Sequence, residues 1–236
     1  MLYSKITITI PVYNEEKSIY NQILRVVDYI EQENLNIHIT VVNNGSTDST
    51  AAILESLESS PVIKVINLSK KGVGLALKES WSSAVAGEII GYMDLDLSTD
   101  IANLNKIIEI ISSFDILTAS RLESNSEVYN RKFTREVVSR TFNFLIKMIF
   151  KSKLNDHMCG FKFLKSDVYL KLKDEYEYSD NWFFLTELLI IAQKHKMNVN
   201  SLAVVWKDDP DSKVKIIPLA LSYLKSIYRL NKYVKN

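Results

Sequence analysis

The stretch Ile6-Thr7-Ile8-Thr9-Ile10-Pro11-Val12-Tyr13-Asn14-Glu15 decides the architecture. Residues 5–12 are apolar-rich and β-branched, then give way to a polar cluster; this is a strand ending at a rim. Helical spacing follows, with Ile19, Ile23, Val26, Val27 and Ile30 inside 15–33. A second strand reads at 37–42. Strand, helix, strand predicts a parallel pair joined by a helical crossover.

The alternation continues outward. The pattern predicts helix 46–57, strand 62–68, helix 74–85, strand 88–93, helix 99–111 and strand 115–119. The expected fold class is α/β, a mostly parallel sheet flanked by helices. Ligands in such sheets bind beyond the carboxyl ends of the strands. The polar clusters Tyr13-Asn14-Glu15, Asn43-Asn44-Gly45 and Asp94-Leu95-Asp96 fall there. The second half is less regular. It reads as loop 120–130, helix 131–150, turn 155–160, strand 161–164, helix 181–194, strand 199–206, loop 207–212 and terminal helix 215–234. With no repeat, linker or low-complexity tract, one compact domain is expected.

Composition sets limits. The chain has 236 residues, 47% hydrophobic and 24% charged, which excludes disordered and fibrous classes. A net charge of +1 provides no field that selects nucleic acid. The halves differ: 1–130 carries 9 basic and 17 acidic residues, net −8, and 131–236 carries 20 and 11, net +9. The acidic half suits a metal, and the basic half phosphates or an anionic membrane. The single cysteine, Cys159, excludes a disulfide framework and fits a reducing compartment. The strand pattern at the N-terminus predicts no signal peptide. No run of about 18 uncharged apolar residues predicts a spanning helix.

Asp94-Leu95-Asp96 is the strongest chemical signal. Two acids at a strand end supply oxygen ligands for Mg²⁺ or Mn²⁺, with a diphosphate completing the shell; the other reading is two unconnected acids in a solvated loop. Asn43 and Asn44 can direct amides at a base or ribose, while Ser46 or Asp48 caps a helix. Lys70-Lys71-Gly72-Val73-Gly74 can cradle phosphate at a helix start. It is not a dinucleotide fingerprint, because Leu77 occupies the last glycine position. Arg131, Lys132, Arg135 and Arg140 share a predicted helix with Val137, Phe142 and Phe144. Such a helix lies in a membrane interface or packs half-buried with a basic edge. The terminal helix leaves the same choice open; six bases and no acid follow Ser212.

Taken in order, these motifs resemble family 2 glycosyltransferases of the GT-A fold. The resemblance rests on 10–15, Asn43-Asn44-Gly45-Ser46-Thr47-Asp48, Lys71-Gly72-Val73-Gly74 and 93–98. Ala119-Ser120-Arg121 looks like the family's Gly-Ser-Arg. Asp156-His157-Met158-Cys159-Gly160-Phe161-Lys162 is similar to a segment of dolichyl-phosphate and other polyprenyl-phosphate glycosyltransferases, as are 182–189, Trp206 and 212–214. The resemblance implies inverting transfer from a nucleoside diphosphate sugar to a polyprenyl phosphate. UDP-glucose is the expected donor, with GDP-mannose next. Pro11, Tyr13, Glu15, Asn43, Asn44, Lys71 and Asp94 would then meet the nucleotide sugar. Asp94 and Asp96 would hold the metal. Arg121, Arg131, Ser139 and Lys213 would meet the acceptor phosphate, and Glu187 joins Asp94, Asp96, Arg121 and Arg131 as catalytic. Residues 1–120 become the nucleotide-sugar and metal part, 121–236 the acceptor part. The enzyme is expected on the cytoplasmic face of a membrane, bound peripherally.

The family usually has Asp where this chain has Asn44, and the subgroup Asp where Leu185 stands. A sugar hydroxyl acceptor needs a general base, whereas a phosphate monoester is ionised near pH 7, its second pKa being ~6. The missing acid at 185 therefore favours a phosphate acceptor. The alternatives are a saccharide-hydroxyl transferase with Glu187 or Asp156 as base, and a non-catalytic nucleotide-sugar binding protein.

Overall fold

The computed structural model describes residues 5–208 and 216–235. Strands β1 (Ile6–Val12), β2 (Ile37–Asn44), β3 (Ile63–Leu68), β4 (Ile89–Met93) and β5 (Ile116–Ser120) fall where the apolar runs predict them. Helices α1 (Ile19–Gln32), α2 (Thr50–Leu57), α3 (Val73–Trp81) and α4 (Asn103–Ile110) connect them. β4 and β5 are buried along their whole length, as strands covered on both faces must be.

Helices α1, α2 and α4 begin four residues later than the spacing predicts and α3 ends four residues earlier; further departures lie in the second half. The loop at 120–130 contains strand β6 (Glu127–Tyr129). The long helix α5 (Phe133–Phe150) starts two residues late, so Arg131 precedes it; Lys132 is extended, with ψ 134°. After β7 (Phe161–Lys165), the unforeseen α6 (Ser166–Leu172) precedes α7 (Phe183–Lys194). The strand expected at 199–206 divides into β8 (Val199–Ala203) and β9 (Val205–Lys207), because β9 leaves the main sheet to pair with β6. Helix α8 (Ile216–Lys235) ends the fold. Lys213 and the rest of 209–215 lie outside the described residues.

The seven-stranded sheet runs β3-β2-β1-β4-β7-β5-β8. Only β7 is antiparallel to its neighbours, wedged between β4 and β5. Gly91 of β4 faces Phe163 of β7, and a Cβ there would come within 2.6 Å of the ring. One core joins α1, α2 and α4 to one face; another joins α3 and α5–α8 to the opposite face. β1 pairs with β4 only as far as Thr9↔Tyr92 and with β2 on to Val12↔Asn43. A crevice therefore opens beside Pro11, where the missing N–H costs no ladder bond. This is the point where strand order reverses, the usual place for a ligand in such sheets.

Gly74 in the first turn of α3 shows how tightly the faces close. A Cβ there would lie 2.3 Å from the Ser179 carbonyl oxygen and 2.8 Å from that of Asn181. Helix propensity alone favours Gly→Ala by about 1 kcal/mol, but the backbone clash opposes it by about 1–3 kcal/mol or more. Gly74→Ala is expected to lower the urea midpoint; a raised midpoint would show that α3 has room.

Candidate active site

The nucleotide-side rim is stapled together by side chains. Asn14 holds φ 54°; its N–H donates to Ser46 Oγ (3.0 Å), and its Oδ1 accepts from the Thr47 N–H (2.8 Å). The Glu15 N–H donates to Thr50 Oγ1 (2.9 Å), and Ser18 Oγ donates to Glu15 Oε2 (2.8 Å). Ser46 thus braces the first rim loop instead of capping α2; Asp48 Oδ1 takes the Thr50 N–H at the helix start (3.0 Å). Pro11, Tyr13 and Glu15 are half-buried here, and Lys71 Nζ lies 3.5 Å from the centre of the Tyr13 ring.

Asn43 and Asn44 stand at the same rim but have internal duties. Asn43 donates to Asn67 Oδ1 (2.8 Å) and accepts from the Ser46 N–H (3.1 Å). Asn44 Oδ1 accepts from the Gly72 N–H (2.8 Å), so an uncharged amide serves at a position where only an acceptor is needed. The expected phosphate cradle at α3 is corrected. Its amino end is closed by protein: the Leu75 N–H donates to the Asp180 carbonyl (3.1 Å), and a Cβ on Gly72 would lie 2.5 Å from the same oxygen. The glycines admit a backbone, not a phosphate.

Asp94 and Asp96 follow β4. Asp94 is half-buried and Asp96 exposed. The Asp94 N–H donates to the Gly160 carbonyl (3.1 Å), and the Tyr92 hydroxyl donates to Asp94 Oδ1. A Cβ on Gly160 would lie 1.6 Å from Asp94 Oδ2. Gly160 therefore makes the space this carboxylate occupies. Burial, then the Asp96 charge, pushes Asp94 up to about 7, against the pull of Tyr92, Lys162 and Arg121. Such a carboxylate is short of positive charge. Among the described residues no group of three His, Cys, Asp or Glu forms a metal site. The pair fits a cation that takes its remaining ligands from a diphosphate.

The acceptor side is built on a buried polar knot. Asp156, fully buried, accepts from Arg121 Nε (2.7 Å), Arg121 Nη2 (3.0 Å), the Arg121 N–H (3.2 Å) and the Met158 N–H (3.0 Å). Burial alone would raise its pKa, but Arg121 overrides it and holds the carboxyl far below the usual range. Asn143 of α5 donates to the same carboxylate (3.4 Å) and accepts from the His157 N–H (2.8 Å). Burial pushes His157 down to about 4, with Asp156 opposing; the ring is neutral, bonding Asn143 Oδ1 (3.0 Å) and Ser152 Oγ (2.8 Å).

Above the knot opens a groove of about 590 Å³, lined by Arg121, Leu122, Arg131, Phe133, Glu136 and Arg140 among others. The Arg121 and Arg131 guanidinium carbons lie 5.3 and 5.4 Å from the centre of the Trp206 ring. Arg131 has an ion pair to Glu136 (Nε to Oε2 3.0 Å). Its buried Nη1 makes no hydrogen bond among the described residues, nor does the buried Ser139 Oγ. Burial and Arg121 both lower the Arg131 pKa. Glu136, Asp156 and Asp208 oppose that lowering.

Glu187, grouped by resemblance with the catalytic acids, is fully buried elsewhere. It accepts from the Ser179 N–H (2.7 Å), Ser179 Oγ (2.8 Å) and Arg229 Nη2 (3.1 Å). This is an internal ion pair tying α7 to α8. Leu185, where the subgroup has an acid, is a core residue. Tyr92, Lys162 and Asn143 went unread in the sequence. Tyr92 was findable, since it shares a strand face with Asp94 two residues on. So was Lys162: a lysine inside a buried strand is rare, and its Nζ donates to the Cys159 carbonyl.

A mostly parallel sheet with a stapled rim, a half-buried and an exposed carboxylate after β4, and a basic groove defines a glycosyltransferase of the GT-A fold. The chain belongs to Glycosyl transferase family 2, whose profile matches residues 7–172. It is 30% identical over 219 residues to glycosyltransferase AglD of Haloferax volcanii, covering 90% of this chain and 35% of that protein. The chain thus spans about a third of that relative's length. It is 30% identical over 245 residues to the dolichyl-phosphate beta-glucosyltransferase ALG5D of Trichomonas vaginalis, covering 96% and 74%. Glucosyl-3-phosphoglycerate synthase of Mycobacterium tuberculosis, solved with Mn²⁺, UDP-glucose and phosphoglyceric acid, shares the fold. The TM-score is 0.68 at 14% identity, over 98% of this chain and 80% of that one.

The knot predicts a pH signature. The folded value of His157, about 4, lies below its unfolded value of ~6.5. The unfolded chain therefore binds the proton first, and stability falls as pH drops from about 6.5, the loss completing near 4. Urea unfolding at pH 7 and 4.5 should show wild-type protein losing about 2–3 kcal/mol more than His157→Gln. Equal losses would place the imidazole in water.

Proposed function

We propose that the protein transfers a hexose, with inversion, from a nucleoside diphosphate sugar to a polyprenyl phosphate, with UDP-glucose the favoured donor. The observation that carries this is two buried donors, Arg131 Nη1 at the groove and the Ser139 hydroxyl on α5. A buried guanidinium nitrogen and a buried hydroxyl, both without partners, face the need of a phosphate for donors. The names of the Trichomonas vaginalis relatives, dolichyl-phosphate beta-glucosyltransferases, support the same acceptor and sugar.

The residues divide the work. Pro11, Tyr13, Glu15 and Lys71 line the rim for the base and ribose. Asp94 and Asp96 would hold a divalent cation, which when bound neutralises charge on the departing diphosphate. Arg121, Arg131 and Ser139 orient the acceptor so that its oxygen attacks the anomeric carbon in line, as the bond to the diphosphate oxygen breaks. No general base is required of an ionised phosphate. The candidates for one are poorly suited: Asp156 is locked to Arg121 and Glu187 to Arg229. That counts against a sugar hydroxyl as acceptor.

We further propose peripheral docking on an anionic membrane. Among the described residues no helix is long and apolar enough to cross one. Phe133, Val137, Phe144 and Met148 of α5 are exposed at positions i, i+4, i+11 and i+15, a single stripe. Leu224 and Tyr228 of α8 are exposed too, and Lys132, Arg140, Lys147, Lys225 and Lys232 flank these apolar groups. Each base adds ~1 kcal/mol near an anionic leaflet.

Labelled UDP-glucose, Mn²⁺ and a short polyprenyl phosphate should yield a glycosyl lipid phosphate by mass, and Asp96→Ala none. Arg131→Met should raise the acceptor KM about ten- to hundredfold, the loss of one charged hydrogen bond, with the donor KM unchanged. Glucosylation of free sugars in preference to the lipid would reject the acceptor. In a second measurement, vesicles with phosphatidylglycerol should sediment the protein at low salt and release it at high salt. Phe144→Glu combined with Met148→Glu should abolish sedimentation; unchanged sedimentation would move the docking face off α5.

A further inference from the structure

Tyr223 of α8 is 3% exposed, and its hydroxyl has no hydrogen-bond partner among the described residues. A buried phenol normally finds one; an orphan calls for an explanation. Its ring is fixed by Phe142 and Phe183, each with its centroid 5.3 Å away. Asp94, at the end of β4, is the carboxylate whose charge reaches this hydroxyl. Burial and then the Asp94 carboxylate raise the phenol pKa, and Tyr92, bonded to Asp94, feels Tyr223 in turn. The phenol therefore stays protonated and able to donate.

Its position lies between the two halves of the proposed reaction. On one side stands Asp94, at the diphosphate end. On the other stands α5, where Phe142 follows Ser139 by three residues and so lies on a neighbouring face. A sugar in transit has its anomeric carbon between the departing diphosphate and the incoming acceptor oxygen. We propose that the Tyr223 hydroxyl donates a hydrogen bond to a hydroxyl of the transferred sugar, which makes it a sugar-positioning residue. This rests on the donor and acceptor reading given above. The terminal helix, joined to the rest by Arg229–Glu187 and Asn181–Ser222 contacts, then completes the donor site.

The test is calorimetry with Mn²⁺ on wild-type protein and Tyr223→Phe, titrating UDP, UDP-glucose and its 2-, 3-, 4- and 6-deoxy analogues. UDP should bind both proteins equally. UDP-glucose should bind Tyr223→Phe about three- to tenfold more weakly, the usual worth of one neutral hydrogen bond. One deoxy analogue should lose the same factor on wild-type protein and bind both proteins alike, since the pair is then already broken. Unchanged UDP-glucose binding, or the same loss with UDP, would reduce Tyr223 to a core hydroxyl satisfied by water and overturn the proposal. Wild-type protein that binds no UDP-glucose removes the donor reading itself, and this inference with it. A Tm within a few degrees of wild type establishes that the variant is folded.

Discussion

A guanidinium and a carboxylate taken out of water together hold this molecule's site in place. Arg121 leaves the end of β5 and meets Asp156, which accepts three bonds from that one residue. Neither ion is tolerable alone at such depth: breaking a buried pair costs about 3–5 kcal/mol. The pair therefore sets where the 156–160 turn lies. That turn in turn supplies Gly160 against Asp94 and the Cys159 carbonyl to Lys162. Asn143 brings α5 to the same knot, and with α5 come Ser139 and the groove.

The electrostatics follow from that layout. Negative charge collects at Asp94, where burial strains it, and at the exposed Asp96; positive charge collects at Arg121, which Asp156 satisfies, and at Arg131, which burial strains. In the proposed reaction a donor carrying a cation and a diphosphate would meet the carboxylates, and a phosphate acceptor would meet the arginines. On that reading the reacting groups would meet between the two, and positioning and charge complementarity would serve the same step.

The main sheet was legible because parallel strands buried on both faces read as plain apolar runs, as at 89–93 and 116–120. The carboxylate pair was legible because it follows such a run. What escaped was tertiary. β6 and β9 are three residues each and only partly buried, too short to show a period. Lys71-Gly72-Val73-Gly74 reads as a phosphate loop, yet the glycines are needed because residues 179–181, a hundred positions on, press against them. Glu187 reads as a free acid because its partner, Arg229, is 42 residues away. Arg131 was read into α5, while the extended Lys132 lets it turn back toward Trp206 instead.

One turn of five residues, 156–160, touches both halves of the candidate site at once. Asp156 anchors Arg121 at the groove, and Gly160 gives Asp94 its space. The two subsites therefore share a hinge with no slack, and neither can be remodelled without disturbing its neighbour. The exposed stripe of α5 is consequently the ground where side chains can change without transmitting force inward.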